Sequence, residues 1–157
     1  MIITHASQDK IVNVEGYGVY CDCRMGCLFF AEEGNTYNLA GECNYQYNLE
    51  VENVLRMRSL NYKHNYTECS VMQSVFADMR DKFGFIDEVS DDELSELLDD
   101  TLSISDYETE LLDKDFGMDQ WVLQQFQGII AHKLGYDCAQ SEDEQGLFIS
   151  HIVWIEN

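Results

Sequence analysis

The sequence predicts an α+β fold, with strands toward both ends of the chain and a block of helices between them. Three observations carry that expectation. Tyr45, Tyr47, Leu49 and Val51 alternate with Gln46, Asn48, Glu50 and Glu52, the period of two that marks a half-buried strand. From Val71 onward the period changes: Val71, Met72, Val75, Phe76, Met79 and Phe83 recur at i, i+3 and i+4, one buried side of a helix. Near the end, Leu147 to Ile155 is again an apolar run of strand length. Strands, then helices, then strands is the order of an α+β domain rather than of a doubly wound sheet.

Taken in order, Met1 to His5 reads as a first strand, because it lacks the basic and long apolar regions of a signal peptide. Gly16-Tyr17-Gly18 marks a turn, and Gly26 to Ala31 is a compact candidate for a buried strand. A short helix is expected within Glu33 to Gly41. The helix over Val71 to Phe83 has Gly84 as its left-handed stop. Ser90 caps a second helix, with Asp91, Asp92 and Glu93 in the first turn, where the helix dipole favours anions, and Leu94, Leu97 and Leu98 as its apolar stripe. A third short helix is expected around Asp106 to Leu112. Asp119 to Leu134 forms the fourth, with Val122, Phe126, Ile129 and Ile130 on one side and Gly135 at its end. Tyr136 to Ser141 then leads into the acidic turn Glu142-Asp143-Glu144-Gln145-Gly146 and the last strand. With no proline linker, internal repeat or apolar run long enough to span a bilayer, the 157 residues read as one domain.

Charge narrows the function classes. Nine basic residues against thirty acidic ones leave a net charge of −21, the wrong sign for direct binding to nucleic acid. Such a chain suits a strongly basic partner, imitation of nucleic acid, or solubility alone. Between Asp87 and Asp119 stand fourteen acids and one base, Lys114. This is either a solvated helical surface or a docking face for a basic partner. Six cysteines without a secretory signal point to reduced thiols in a cytosol. Cys21, Cys23, Cys27 and Cys43 lack the usual zinc-finger spacing, so free, partly buried thiols are expected over a structural metal.

No phosphate-binding glycine loop, Ser-His-Asp order or H-E-x-x-H motif is present. His5, His64, His132 and His151 stand apart in the sequence, and each alone reads as a surface or packed residue. Composition and spacing stop at an acidic α+β domain with a carboxylate cluster on a C-terminal turn. As a turn, that cluster is an ordinary hairpin of solvated acids.

Two stretches together carry a resemblance. Thr4-His5-Ala6-Ser7 resembles the His-Gly-Thr/Ser strand that opens ADP-ribosyltransferase domains. Gly26-Cys27-Leu28-Phe29-Phe30-Ala31, followed by Tyr37, resembles their second motif, an aromatic-rich strand before a short helix. Tyr45 to Met57 is similar to the strand that follows. The tail, Trp121 to Gly128, Leu134-Gly135-Tyr136 and Glu142-Asp143-Glu144-Gln145-Gly146, is similar to that of type I-F anti-CRISPR ADP-ribosyltransferases. The resemblance covers both ends, and the middle matches only in being helical. Ala6 stands where these domains usually have glycine.

The resemblance implies a split β-sheet core with a helical block at about residues 66–134 inserted between its N- and C-terminal strands. It implies NAD as co-substrate and a cytoplasmic setting in a bacterial host. The partner would be a type I CRISPR surveillance complex with a basic DNA-binding subunit, modified by family on an asparagine so that PAM and target-DNA recognition fail. His5, Ala6 and Ser7 would hold the dinucleotide, and Leu28, Phe29, Phe30 and Tyr37 would wall the nicotinamide. The Asp-Glu-x-Gly register selects Asp143 as the acid that stabilises the oxocarbenium-like transition state on the ribose, whereas reading Gln140-Ser141-Glu142 as Q-x-E selects Glu142. A non-catalytic DNA mimic and a plain NAD glycohydrolase are the other readings.

Overall fold

The structure, a computed structural model, describes residues 1–7, 25–32, 45–111, 117–142 and 148–151. The strands are β1 (Ile2–Ser7), β2 (Cys27–Glu32), β3 (Tyr45–Glu50), β4 (Val54–Arg56), β5 (Cys138–Gln140) and β6 (Phe148–His151). The helices are α1 (Leu60–Lys63), α2 (Ser70–Phe83), α3 (Asp91–Leu98) and α4 (Met118–Lys133), all inserted between β4 and β5. The α+β expectation is met. The helix expected within Glu33 to Gly41 and the end of the expected last strand lie outside the described residues.

One six-stranded sheet runs in the order β3-β1-β2-β6-β5-β4. β4 and β5 are parallel, and the other pairs are antiparallel. The order contains a geometric problem with one solution. β3 and β4 are the two edges, yet only Val51, Glu52 and Asn53 join them. Five strand spacings in a flat sheet would separate the edges by about 24 Å. The four residue steps from Glu50 to Val54 reach at most about 14 Å. The sheet therefore folds over on itself. β2 is shared between the halves: Glu32 and Ala31 pair with β1, while Phe30 to Cys27 pair with β6. This is the split sheet that the resemblance implied.

Each face of the folded sheet has its own core. Inside the fold lie Ile3, Leu28, Phe30, Val51, Cys138 and Phe148, with Leu49 and Val54 packed against them. On the other face the helices cover Leu55 and Ala139 with Met72, Phe76, Phe83, Leu94, Leu97, Val122, Phe126 and Ile130. α4 lies on β6 and β5, and its approach depends on Gly128. A Cβ there would come within 2.7 Å of the Ile149 Cγ2 methyl and 3.1 Å of the Cys27 sulfur.

The helix signals act where the sequence places them. Gly84 ends α2 at φ 59°, a left-handed stop that glycine takes without strain. Ser90 and Glu93 form a reciprocal capping box at the start of α3. One expectation fails. Instead of a helix at Asp106 to Leu112, the chain makes a single 3-10 turn at Ile104–Asp106 and then an extended bridge, Thr109 against Phe85. Long-range contacts outweigh local propensity here. The Tyr107 hydroxyl donates to Glu93 at 2.7 Å, its ring packs edge-on against Phe85, and the Glu110 amide donates to the Phe83 and Gly84 carbonyls. Burial, together with the Glu93 bond, raises the Tyr107 hydroxyl to about 12, and the same bond lowers the Glu93 carboxyl. Among the described residues, no helix is long and apolar enough to cross a membrane.

Candidate active site

The strand registers place several of the singled-out residues in one row across the sheet. Tyr47 is opposite His5, Phe30 is opposite Phe148, Phe148 is opposite Gln140, and Gln140 is opposite Arg56. His5 joins the two pieces, since its ring meets Phe30 edge-on at 5.9 Å and Tyr47 at 6.4 Å. Cross-strand partners project from the same face, here the inner face of the fold. The middle of the row, Phe30 and Phe148, is buried, while His5 and Tyr47 are half-exposed.

His5 sits where β1 and β2 part. Their backbone pairing ends at Thr4 opposite Ala31. Beyond it, the His5 ring reaches across and Nδ1 lies 2.6 Å from the Phe29 carbonyl oxygen. A carbonyl only accepts, so Nδ1 carries the proton, and in the neutral ring Nε2 is the acceptor. Behind His5, buried Thr4 donates to the Asn48 side chain at 2.9 Å and holds β1 against β3.

The adjacent aromatics do not form one wall. Leu28 and Phe30 point into the inner core, whereas alternation sends Phe29 to the helix face, where it stacks on Trp121 of α4 at 6.5 Å. Phe30 lies beside His5, while Leu28 is a core residue of the same face. Ala6 is half-buried opposite Gln46, and the Ser7 backbone pairs with Tyr45. Tyr37 and Asp143 lie outside the described residues.

Glu142 is placed, and it is tied at two points. Its carboxylate faces the Arg56 guanidinium with contacts of 3.3 and 3.4 Å to Nε and Nη2. Its backbone amide donates to the Asp100 carboxylate at 3.0 Å. The strand ends at Gln140, so residues 141 and 142 are irregular and strict face alternation does not continue through them.

The cysteines divide similarly. The Cys27 thiol donates to the Gln125 carbonyl at 3.3 Å, and burial pushes its pKa well up. Burial, then the nearby Asp137 charge, raises Cys138 to about 12. Both are protonated thiols at neutral pH. Cys21, Cys23 and Cys43 lie outside the described residues, and among those described no cluster of His, Cys, Asp and Glu suits a metal ion.

Comparison with known proteins adds the family. Residues 1–157 match the family described as Anti-CRISPR Type I-F ADP-ribosyltransferase AcrIF11. The chain belongs to this family. A crystal structure described as that of an anti-CRISPR protein is similar in fold, with a TM-score of 0.54 at 21% identity, covering 98% of this chain and 90% of that one. Among curated proteins none matches. As an anti-CRISPR ADP-ribosyltransferase, the protein is an NAD-dependent enzyme directed at a CRISPR-related target. At the place where β1 and β2 separate, the Phe29 carbonyl fixes the His5 tautomer.

Sequence reasoning missed four residues of this candidate site. Tyr47 and Phe148 were visible only as strand residues, because the registers that bring them to His5 are long-range. Asp100, which accepts from the Glu142 amide, and Gln127, which donates to Asp100, left one trace. A helix ending Leu97-Leu98-Asp99-Asp100 stops without glycine or asparagine.

Proposed function

We propose that this enzyme transfers ADP-ribose from NAD to a side chain of a type I-F surveillance complex, by family an asparagine, and thereby blocks recognition of the PAM and target DNA. The observation that supports it best is the His5 imidazole, fixed on the Phe29 carbonyl where β1 and β2 diverge. In this reading Nε2 of His5 accepts from a ribose hydroxyl of NAD, and the backbone of Ala6 and Ser7 lies along the dinucleotide. Phe30 and Tyr47 form the apolar surround of the histidine. Tyr37, from outside the described residues, completes the nicotinamide pocket.

The reaction breaks the bond between the ribose C1′ and the nicotinamide nitrogen, whose electron pair leaves with nicotinamide. The acceptor nitrogen then bonds to C1′ and gives up a proton. Positive charge grows on the ribose in the transition state, as in glycoside hydrolysis, and a fixed carboxylate beside it lowers the barrier. We assign that role to Asp143. Glu142 is the weaker candidate because its negative charge already faces Arg56, which leaves less net field for the ribose. Glu142 then anchors the segment from which Asp143 acts.

Intact-mass measurement of candidate complexes incubated with and without NAD tests the reading. An enzyme leaves an ADP-ribose adduct only with NAD, whereas a DNA mimic inhibits without one. Nicotinamide release with no adduct on any partner indicates a glycohydrolase. Asp143→Ala is expected to lower transfer by roughly a hundredfold or more, the scale of losing one electrostatic stabiliser, with the fold intact. Glu142→Gln is expected to keep most of it. The reverse pattern moves the catalytic role to Glu142.

A further inference from the structure

At the end of α3 the chain makes an expensive choice. Asp100 has φ 66°, the one non-glycine residue with positive φ among those described. It occupies the position after a helix that glycine usually fills, and the amides of Thr101 and Leu102 close the motif onto the Glu96 carbonyl at 2.9 and 3.0 Å. Glycine would adopt this conformation without strain. Strain of this kind persists where the side chain has a task.

The task is visible in the contacts. One Asp100 carboxylate oxygen accepts from the Gln127 side-chain amide at 2.8 Å, and the other accepts from the Glu142 backbone amide at 3.0 Å. Gln127 is fully buried in α4 and is itself fixed by donating to the Leu98 carbonyl at 2.9 Å. One carboxylate thus joins the end of α3, the middle of α4 and the first residues beyond β5.

We propose that Asp100 is a positioning residue of the ADP-ribosyltransferase site: it bridges Gln127 and the Glu142 amide to fix where the acidic segment leaves the sheet. This rests on the reading of that segment as the bearer of the carboxylate that acts on NAD. Glu142 is held by its backbone from Asp100 and by its side chain from Arg56, two contacts made by described residues on other elements. A displacement of about 1 Å in a catalytic group can cost roughly a hundredfold in rate.

Two substitutions separate this role from plain stability. Asp100→Gly suits the left-handed backbone and removes both acceptors. Asp100→Asn tolerates the same backbone and keeps an acceptor for the Glu142 amide. The anchor is read by hydrogen exchange at that amide, and its effect by kcat and KM for NAD. In Asp100→Gly we expect faster exchange at Glu142, an unchanged KM and a kcat lower by roughly ten- to a hundredfold, the scale of one charge-assisted hydrogen bond. Asp100→Asn should restore most of both. Unchanged exchange in Asp100→Gly overturns the proposal, and so does faster exchange with unchanged kcat. A wild-type chain that never turns over NAD defeats the enzymatic assignment instead, and exchange at Glu142 alone then decides whether the anchor exists.

Discussion

Asp137 carries more of the architecture than its exposed position suggests. One of its carboxylate oxygens accepts from the Glu52 and Asn53 amides at 2.8 and 2.9 Å, and its own amide donates to the Asn53 carbonyl. It therefore clasps the short link that lets the two sheet edges meet. The Asn53 amide, then the Glu52 amide, lowers its carboxyl below the usual 3.8. The sign follows from linkage: a folded-state value below the unfolded one gives stability that is complete above about pH 4 and is lost as pH falls through the depressed value. Asp137→Ala should melt roughly 2–4 °C lower at pH 7, the scale of one or two hydrogen bonds in a chain of this size. The difference should shrink steadily below pH 4. Thermal melts across pH 2.5 to 7 check it, and a constant difference would show that the carboxylate is not the clasp.

Among the elements, α4 does most to organise the rest, because it supplies both the cover of β6 and the Gln127 that holds Asp100. Its closeness to the sheet depends on Gly128. Alanine there gains about 1 kcal/mol in helix propensity, but its methyl meets Ile149 and Cys27, both buried and neither able to swing aside. Overpacking of this kind costs about 1–3 kcal/mol. Gly128→Ala should therefore lower stability to chemical denaturation by up to about 2 kcal/mol, whereas substitution at Gly117, where a Cβ meets nothing within 4 Å, is limited to its backbone strain. A Gly128→Ala midpoint at or above the wild type would mean that helix and strand are further apart than described. This level also shows what the sequence could say. β3, α2, the capping box of α3 and the left-handed stop of α4 were legible because each is decided within a few residues. The opposite facing of Phe29 and Phe30 follows from strand alternation and was available too. The row from Tyr47 through His5 to Gln140 was not, since pairing registers between residues as far apart as Phe30 and Phe148 leave no local pattern. The expected helix at Asp106 was lost to a bridge with Phe85 for the same reason.

Over the whole molecule, the net charge of −21 suits a basic partner. Part of the acidic stretch has internal work. Glu93 caps α3, Asp91 pairs with Arg80, Asp99 accepts from Asn61 and from the Thr101 amide, and Asp100 holds Glu142. The exposed acids Asp87, Glu88, Asp106 and Glu108 flank this set. Under the proposed function they would steer the enzyme toward a basic surface of its target, because complementary charge raises the association rate more than it slows dissociation. A variant with Asp87→Asn, Glu88→Gln, Asp106→Asn and Glu108→Gln leaves the cap, the ion pair and the Asp100 bridge in place, so its melting temperature should match the wild type. Its association rate with the surveillance complex at low salt should fall roughly tenfold, with a shallower dependence on ionic strength and a nearly unchanged dissociation rate. Surface-binding kinetics at three salt concentrations separate the cases. Equal association rates and equal salt slopes would place the docking face elsewhere on the molecule and leave these acids to solubility alone.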